Sequence, residues 1–326
     1  MKVGIIGAGA WGTAVSVVAA ENGHSVSLWA REPEVVTELR ERRTNSRFLQ
    51  GVQISDSIEV VDDIAVLSSS DILINATPTQ FIASILGPLS AADTLFVNLA
   101  KGIELGTHRR VSQIVHDVLP SVSRYAVLSG PSHAEEVVRR MPTTVVCAST
   151  DIQSAELVQS ALSTASFRVY TSSDVVGVEI GGALKNVIAI AAGIVDGIGL
   201  GDNTKAALIT RGLAEIARLA VALGANVQTL YGLAGVGDLY VTCTSRHSRN
   251  RAVGERIGKG ESLTSIRSTM SAVAEGVTTT QAALELALTA GVELPITEQI
   301  AQILFHGADP HEAIQTLMQR SLRQEG

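Results

Sequence analysis

The residues of this 326-residue chain whose types and spacing suit chemistry begin seven positions in. Gly7-Ala8-Gly9-Ala10-Trp11-Gly12 is a GxGxxG turn set directly after a β-rich run and directly before a helical one. In that context Gly7 permits a tight turn, Gly9 lets backbone N–H groups reach a pyrophosphate, and Gly12 lets helix and strand pack closely. The helix start at Ala10 and Trp11 then carries N–H donors and partial positive charge toward the phosphates of a dinucleotide. The next strand bears on which dinucleotide. An NAD(H)-selective turn usually has Asp or Glu about 20 residues on, accepting from the ribose 2′-OH. Here residues 25–30 end without a carboxylate and Arg31 follows, so a bidentate pair with a 2′-phosphate is favoured, and with it NADP(H) over NAD(H). Glu32 stands beside it, and can neutralise Arg31 or serve NAD(H).

Further candidates lie beyond later strands. Ala100-Lys101-Gly102 puts a lysine where open α/β sheets bind ligands. Leu128-Ser129-Gly130-Pro131-Ser132 repeats that placement, its turn offering N–H groups from Gly130 and Ser132 at a helix start. Lys185 sits in an apolar, glycine-rich helical stretch and is expected to be half-buried, which is where functional lysines concentrate. Gly232-Leu233-Ala234-Gly235-Val236-Gly237-Asp238 follows no strand, so it reads as a loop presenting Asp238. Arg246-His247-Ser248-Arg249-Asn250-Arg251 gathers three arginines, a hydroxyl and an amide, the makings of a clamp for a small phosphate. No metal site is expected, because the seven histidines lack ligand spacing and the two cysteines are far apart. Cys243 reads as a small buried residue, and no GxSxG elbow supports hydrolase chemistry.

The elements that must position these groups follow from patterning. Short β-rich runs at 2–6, 25–29, 71–75, 94–98, 125–128, 143–148 and 167–170 alternate with helical stretches near 10–22, 32–43, 78–86, 108–118, 132–140 and 151–163. Such alternation implies an α/β unit with a doubly wound parallel sheet. From Asp174, a candidate N-cap, the pattern turns helical despite Gly177, Gly181, Gly182 and Gly193, and strand signals become scarce. The expected division is a dinucleotide-binding unit over 1–173 and an all-helical, substrate-binding unit over 174–326.

Composition excludes several classes. With 46% hydrophobic and 17% charged residues the chain is not disordered, and its net charge of −7 argues against a general nucleic-acid binder. Two cysteines make no disulfide framework and fit a reducing, cytoplasmic compartment. The longest apolar run, residues 187–195, is far short of the roughly 20 that cross a membrane, so no span is expected.

Together the motifs resemble the bacterial-type NAD(P)-dependent glycerol-3-phosphate dehydrogenases over nearly the whole chain. The most specific blocks are Leu128-Ser129-Gly130-Pro131-Ser132, Gly182-Ala183-Leu184-Lys185-Asn186, residues 232–245 and Ser248-Arg249-Asn250-Arg251. The resemblance implies a Rossmann unit followed by an all-helical unit similar to the C-terminal one of 6-phosphogluconate dehydrogenase, with the active site between them. It implies interconversion of dihydroxyacetone phosphate and sn-glycerol 3-phosphate with NAD(P)(H), supplying phospholipid synthesis. It assigns Lys185 as the proton acceptor, and Lys101, Gly130, Ser132, Lys185, Asp238, Ser248, Arg249 and Asn250 as substrate contacts. Trp11, Arg31, Lys101, Ala134, Arg249, Val273 and Glu275 become cofactor contacts. A small phosphorylated substrate is the implied partner, and a homodimer is compatible with it. Three residues depart from those common in the family: Ala10 for Ser, which costs one possible phosphate hydrogen bond, Gln50 for Pro and His133 for Phe. Ser129-Gly130-Pro131 argues against 3-hydroxyacid or 6-phosphogluconate enzymes, which show Ser-Gly-Gly at that turn.

Overall fold

The computed structural model describes residues 1–90, 93–270, 273–321 and 324. Its first half alternates strand and helix: β1 Lys2–Ile6, α1 Ala10–Glu21, β2 Ser25–Trp29, α2 Pro33–Glu41, β3 Thr44–Asn45, β4 Leu49–Gln53, β5 Ile58–Val61, β6 Ile72–Asn75 and α3 Ile82–Leu86. There follow β7 Leu95–Asn98, α4 Val111–Val118, β8 Arg124–Ser129, α5 Ala134–Val137, β9 Thr143–Ala148, α6 Ile152–Leu162 and β10 Phe167–Ser172. Eight strands form one sheet in the order β10-β9-β8-β7-β6-β1-β2-β5, and β3 and β4 make a separate hairpin. Its central strands are nearly continuously apolar because both sheet faces are covered, one by the cluster around Ile5, Leu28 and Ile74, the other around Ile6, Leu73 and Phe96.

Two corrections apply to the expected sheet. Residues 58–61 add an edge strand, Ile58–Val61, that its interrupting Glu59 concealed. The sheet is also not wholly parallel: β9 pairs antiparallel with β8 through Val127↔Ala148, and β10 runs parallel to β9. A parallel return needs a helix crossing the sheet. The connection from β8 carries only the four-residue α5 and turns back on itself.

Helices make up the second half: α7 Val175–Gly197, α8 Asp202–Ala222, α9 Val227–Leu230, α10 Asp238–Thr244, α11 Arg249–Gly258, α12 Leu263–Thr269, α13 Glu275–Ala290, α14 Pro295–His306 and α15 Pro310–Met318. Asp174 caps α7 by accepting from the Gly177 amide at 2.8 Å. At 23 residues α7 has the length and hydropathy of a membrane-crossing helix, and its apolar stretch is wholly buried inside the protein.

The glycines of α7 cost about 1 kcal/mol each in helix propensity, and backbone contact offsets that. A methyl added at Gly193 would lie 2.0 Å from the Arg251 carbonyl oxygen, and one at Gly254 would lie 1.9 Å from that of Ile190. Helices α7 and α11 thus touch backbone to backbone, which holds the start of α11 against the middle of α7. Gly193→Ala is expected to destabilise the protein by about 3 kcal/mol, the upper end of overpacking penalties. A urea midpoint equal to the wild type's would show that the two backbones are not in contact.

Candidate active site

A cleft of about 520 Å³ runs along the carboxyl ends of β1, β2, β6 and β7 and is closed on its other side by the helical half. Strand order reverses between β1 and β6, and the crevice at such a reversal is where open α/β sheets hold ligands.

One wall is the glycine turn. Gly7 has φ +103°, a left-handed conformation that favours glycine, and its amide donates to the Trp29 carbonyl at 3.0 Å. A methyl on Gly12 would lie 1.9 Å from the Gly7 oxygen, so Gly12 serves packing and does not line the cleft. Gly7, Gly9, Ala10 and Trp11 do line it, and a methyl on Gly9 would meet nothing within 4 Å. Gly9 caps α1 without a side chain, and the first rung of the helix is Thr13 N–H to Gly9 carbonyl. The amides of residues 10–12 therefore have no intrahelical acceptor. These residues fit a pyrophosphate.

The floor is a buried charge cluster. Lys185, from the middle of α7, is buried with 6% exposure, deeper than the half-burial its sequence suggests. Its Nζ donates to Asp238 Oδ1 and, at 2.7 Å, to Thr242 Oγ1. Lys101 Nζ donates to Asp238 Oδ2 at 2.7 Å and to the Gly130 carbonyl at 3.1 Å. Burial pulls the Lys185 pKa down to about 8, assisted by Lys101 and opposed by Asp238. Burial works the other way on Asp238, but Lys101 and Lys185 overcome it and hold that carboxyl below its ordinary value. The structure corrects two readings here. Asp238 opens helix α10 after a kinked turn at Leu233–Gly237, whose Gly235 is non-helical, and is not presented by a loop. Asp238 and Gly130 also lie behind the two lysines, off the cleft wall.

Beside the lysines His133 lines the cleft, its ring centroid 5.6 Å from that of His247. Its Nε2 is buried without a hydrogen-bond partner. Burial and the nearby Lys185 ammonium hold its pKa down.

The start of α11 forms the third part. Ser248 caps the helix by accepting from the Arg251 amide at 3.2 Å, and Ser248, Arg249 and Asn250 line the cleft. Asn250 is fixed by donating to Asn186 Oδ1 at 2.9 Å and accepting from the Gly276 amide at 3.0 Å. Asn186 in turn donates to the Lys101 carbonyl at 2.9 Å. The three-arginine clamp reduces to Arg249: Arg251 pairs with Asp196 at 2.7 Å, and Arg246 is exposed away from the cleft. Arg249 Nη1 donates to the Val273 carbonyl at 3.1 Å. Glu275 accepts from the Thr79 amide and hydroxyl at 2.9 and 3.0 Å, tying the helical rim to the sheet half. Arg31, Ser132, Ala134 and Val273 also line the cleft, whereas Gln50 lies exposed on β4 outside it.

Sequence reasoning missed Thr242, Asn186, Arg47 and Phe48 as cleft residues. Thr242 had a readable signal, since it lies four residues after Asp238 and so on the same helical face. Arg47 and Phe48 had none, because only the hairpin's docking brings them to the cleft.

The arrangement has relatives. Residues 2–155 match the family described as NAD-dependent glycerol-3-phosphate dehydrogenase N-terminus, and 174–315 match its C-terminus. A glycerol-3-phosphate dehydrogenase (NAD(P)+) of Chlorobium phaeobacteroides strain BS1 is 52% identical across 100% of this chain and 99% of its own length. The enzyme of that name from Geobacillus thermodenitrificans is 52% identical across 99% and 96%. The crystal structure of glycerol-3-phosphate dehydrogenase from Coxiella burnetii superposes with a TM-score of 0.94 at 36% identity, covering 98% of this chain and 99% of that one. With both halves matched and identity above half over the full length, this chain belongs to the NAD-dependent glycerol-3-phosphate dehydrogenase family.

Proposed function

We propose that this chain interconverts dihydroxyacetone phosphate and sn-glycerol 3-phosphate with NAD(P)(H). The observation that carries the reading is a buried ammonium, Lys185, held on the floor of the cleft whose wall is the dinucleotide turn. A bound nicotinamide supplies or accepts the hydride, and the chain's own side chains do the rest. Lys185 donates a proton to the oxygen that develops charge at C2 during reduction, and takes it back during oxidation. Lys101 adds positive charge at the same oxygen. Asp238 and Gly130 act through the lysines, holding both ammoniums in place.

Arg249, the amides at the start of α11, Ser248 and the remaining N–H of Asn250 hold the substrate phosphate, as helix N-termini hold anions. Ser132 faces it from the sheet half, and Arg31, Ala134, Val273 and Glu275 flank the cofactor. In this reading the units 1–173 and 174–326 each supply one side of the site. In this reading the product supplies the backbone of phospholipids and the enzyme works in the cytoplasm, upstream of acyl transfer. There Cys147 and Cys243, whose thiols burial pushes up to about 12, stay inert.

The test is consumption of NADPH and NADH with dihydroxyacetone phosphate, run beside dihydroxyacetone. Turnover with the phosphorylated ketone alone is expected, and equal turnover with both ketones would remove the phosphate site from the account. Arg249→Ala is expected to raise the KM for dihydroxyacetone phosphate ~10- to 100-fold, the factor for losing a hydrogen bond to a charged group. An unchanged KM would mean that the phosphate sits elsewhere.

A further inference from the structure

Arg31 is the residue whose place in the chain points to a 2′-phosphate, yet a second guanidinium stands on the same cleft. Arg47, in the turn between β3 and β4, lines it together with Phe48, Trp29, Arg31 and Glu32. The two arginines are held alike. Arg31 lies 5.8 Å over the Phe81 ring and pairs with Glu32 at 2.9 Å. Arg47 lies 5.2 Å over the Phe48 ring and pairs with Glu34. Both carboxylates belong to the start of α2, Glu32 as its N-cap and Glu34 in its first turn.

The hairpin that carries Arg47 is fastened to the dinucleotide turn itself. Buried Asn45 donates from Nδ2 to the Ala8 carbonyl at 2.8 Å and to Thr13 Oγ1 at 2.9 Å, and its Oδ1 accepts from the Phe48 amide at 3.3 Å. Glu38 of α2 accepts from the Ser46 amide and hydroxyl, both at 2.8 Å. Arg47 is thereby set in fixed register with the pyrophosphate cradle. Two neighbouring arginines are engaged elsewhere: Arg40 pairs with Asp62, and Arg43 donates to the Leu39 and Ile58 carbonyls. The Arg31 and Arg47 side chains are 61% and 42% exposed, and ion pairs so open to water contribute little, so a more highly charged ligand can replace the carboxylates.

We propose that Arg47 is a second ligand of the 2′-phosphate of NADP(H), and that Glu34 and Glu32 are the counter-ions that Arg47 and Arg31 release when it binds. With NAD(H), which brings no 2′-phosphate, Glu32 on the cleft wall keeps its pair with Arg31 and accepts from the ribose 2′-OH, so one mouth reads both cofactors through different residues. The proposal rests on the dinucleotide reading of the cleft and not on the identity of the substrate.

Both tryptophans of the chain, Trp11 and Trp29, line this cleft, so their fluorescence reports binding. The full-length protein is titrated with adenosine 2′,5′-bisphosphate and with 5′-AMP. Arg47→Ala is expected to weaken the bisphosphate about 10-fold more than AMP, the lower end for one charge-assisted bond. Arg47→Lys should retain part of the preference. Glu34→Gln should raise it about 2-fold, since an exposed competing ion pair is worth little. Equal weakening of the two ligands by Arg47→Ala would overturn the proposal, making Arg47 a support for the hairpin, and so would no weakening of either. Failure of the dehydrogenase reading looks different: no NAD(P)H consumed with dihydroxyacetone phosphate, while the bisphosphate preference still depends on Arg47.

Discussion

Lys185→Ala is expected to lower kcat for ketone reduction by ~10²- to 10⁴-fold, the range contributed by a positioned proton donor. Single-turnover oxidation of NADPH with saturating dihydroxyacetone phosphate measures it directly, because product release does not enter. The same residue sets the pH dependence in opposite senses for the two directions. Reduction needs the ammonium and falls as pH rises through about 8, where burial has brought the Lys185 pKa. Oxidation of glycerol 3-phosphate needs the neutral amine and rises through the same point. An unperturbed lysine, with pKa about 10.4, would leave oxidation still climbing well above that pH. Near-wild-type turnover by the alanine variant, with binding intact, would take Lys185 out of the chemistry.

Asp238→Asn is expected to lower kcat ~10²-fold with a much smaller change in substrate KM, within the span of a misplaced acid–base group. The carboxylate is 1% exposed and holds Lys101 and Lys185 from below. Asparagine keeps the shape but removes the charge that pulls the Lys185 pKa upward, so the midpoint for glycerol 3-phosphate oxidation should move below about 8. Alanine would be a poorer probe. Like asparagine it leaves two ammoniums without a counter-charge, and it also removes the side-chain oxygen that can still accept from one of them, so more of the effect would be lost stability and less of it catalysis. A raised KM with an unmoved pH midpoint would show that Asp238 acts on the substrate and not through Lys185.

These two residues also mark where the sequence stops. The strand, glycine turn and helix of residues 2–21 are contiguous, and each glycine answers a need set by its immediate neighbours, so the cradle was readable from residue types alone. The same holds for Asp174 capping α7 and for the apolar strands that require covered faces. Other features depend on packing between distant segments. Asp238 meets Lys101 and Lys185 across 137 and 53 residues, and only the docking of α10 against α7 turns it from an apparent loop residue into the anchor beneath both lysines. Three arginines in six residues look equivalent in the chain, yet the start of α11 points one at the cleft and turns another to Asp196. The antiparallel turn of β9 left no trace either, because apolar periodicity reports burial and not direction. Local propensity and capping act within a few residues and are written in the chain, whereas the electrostatics of the site arise from which buried charges the folded backbone brings within hydrogen-bond reach.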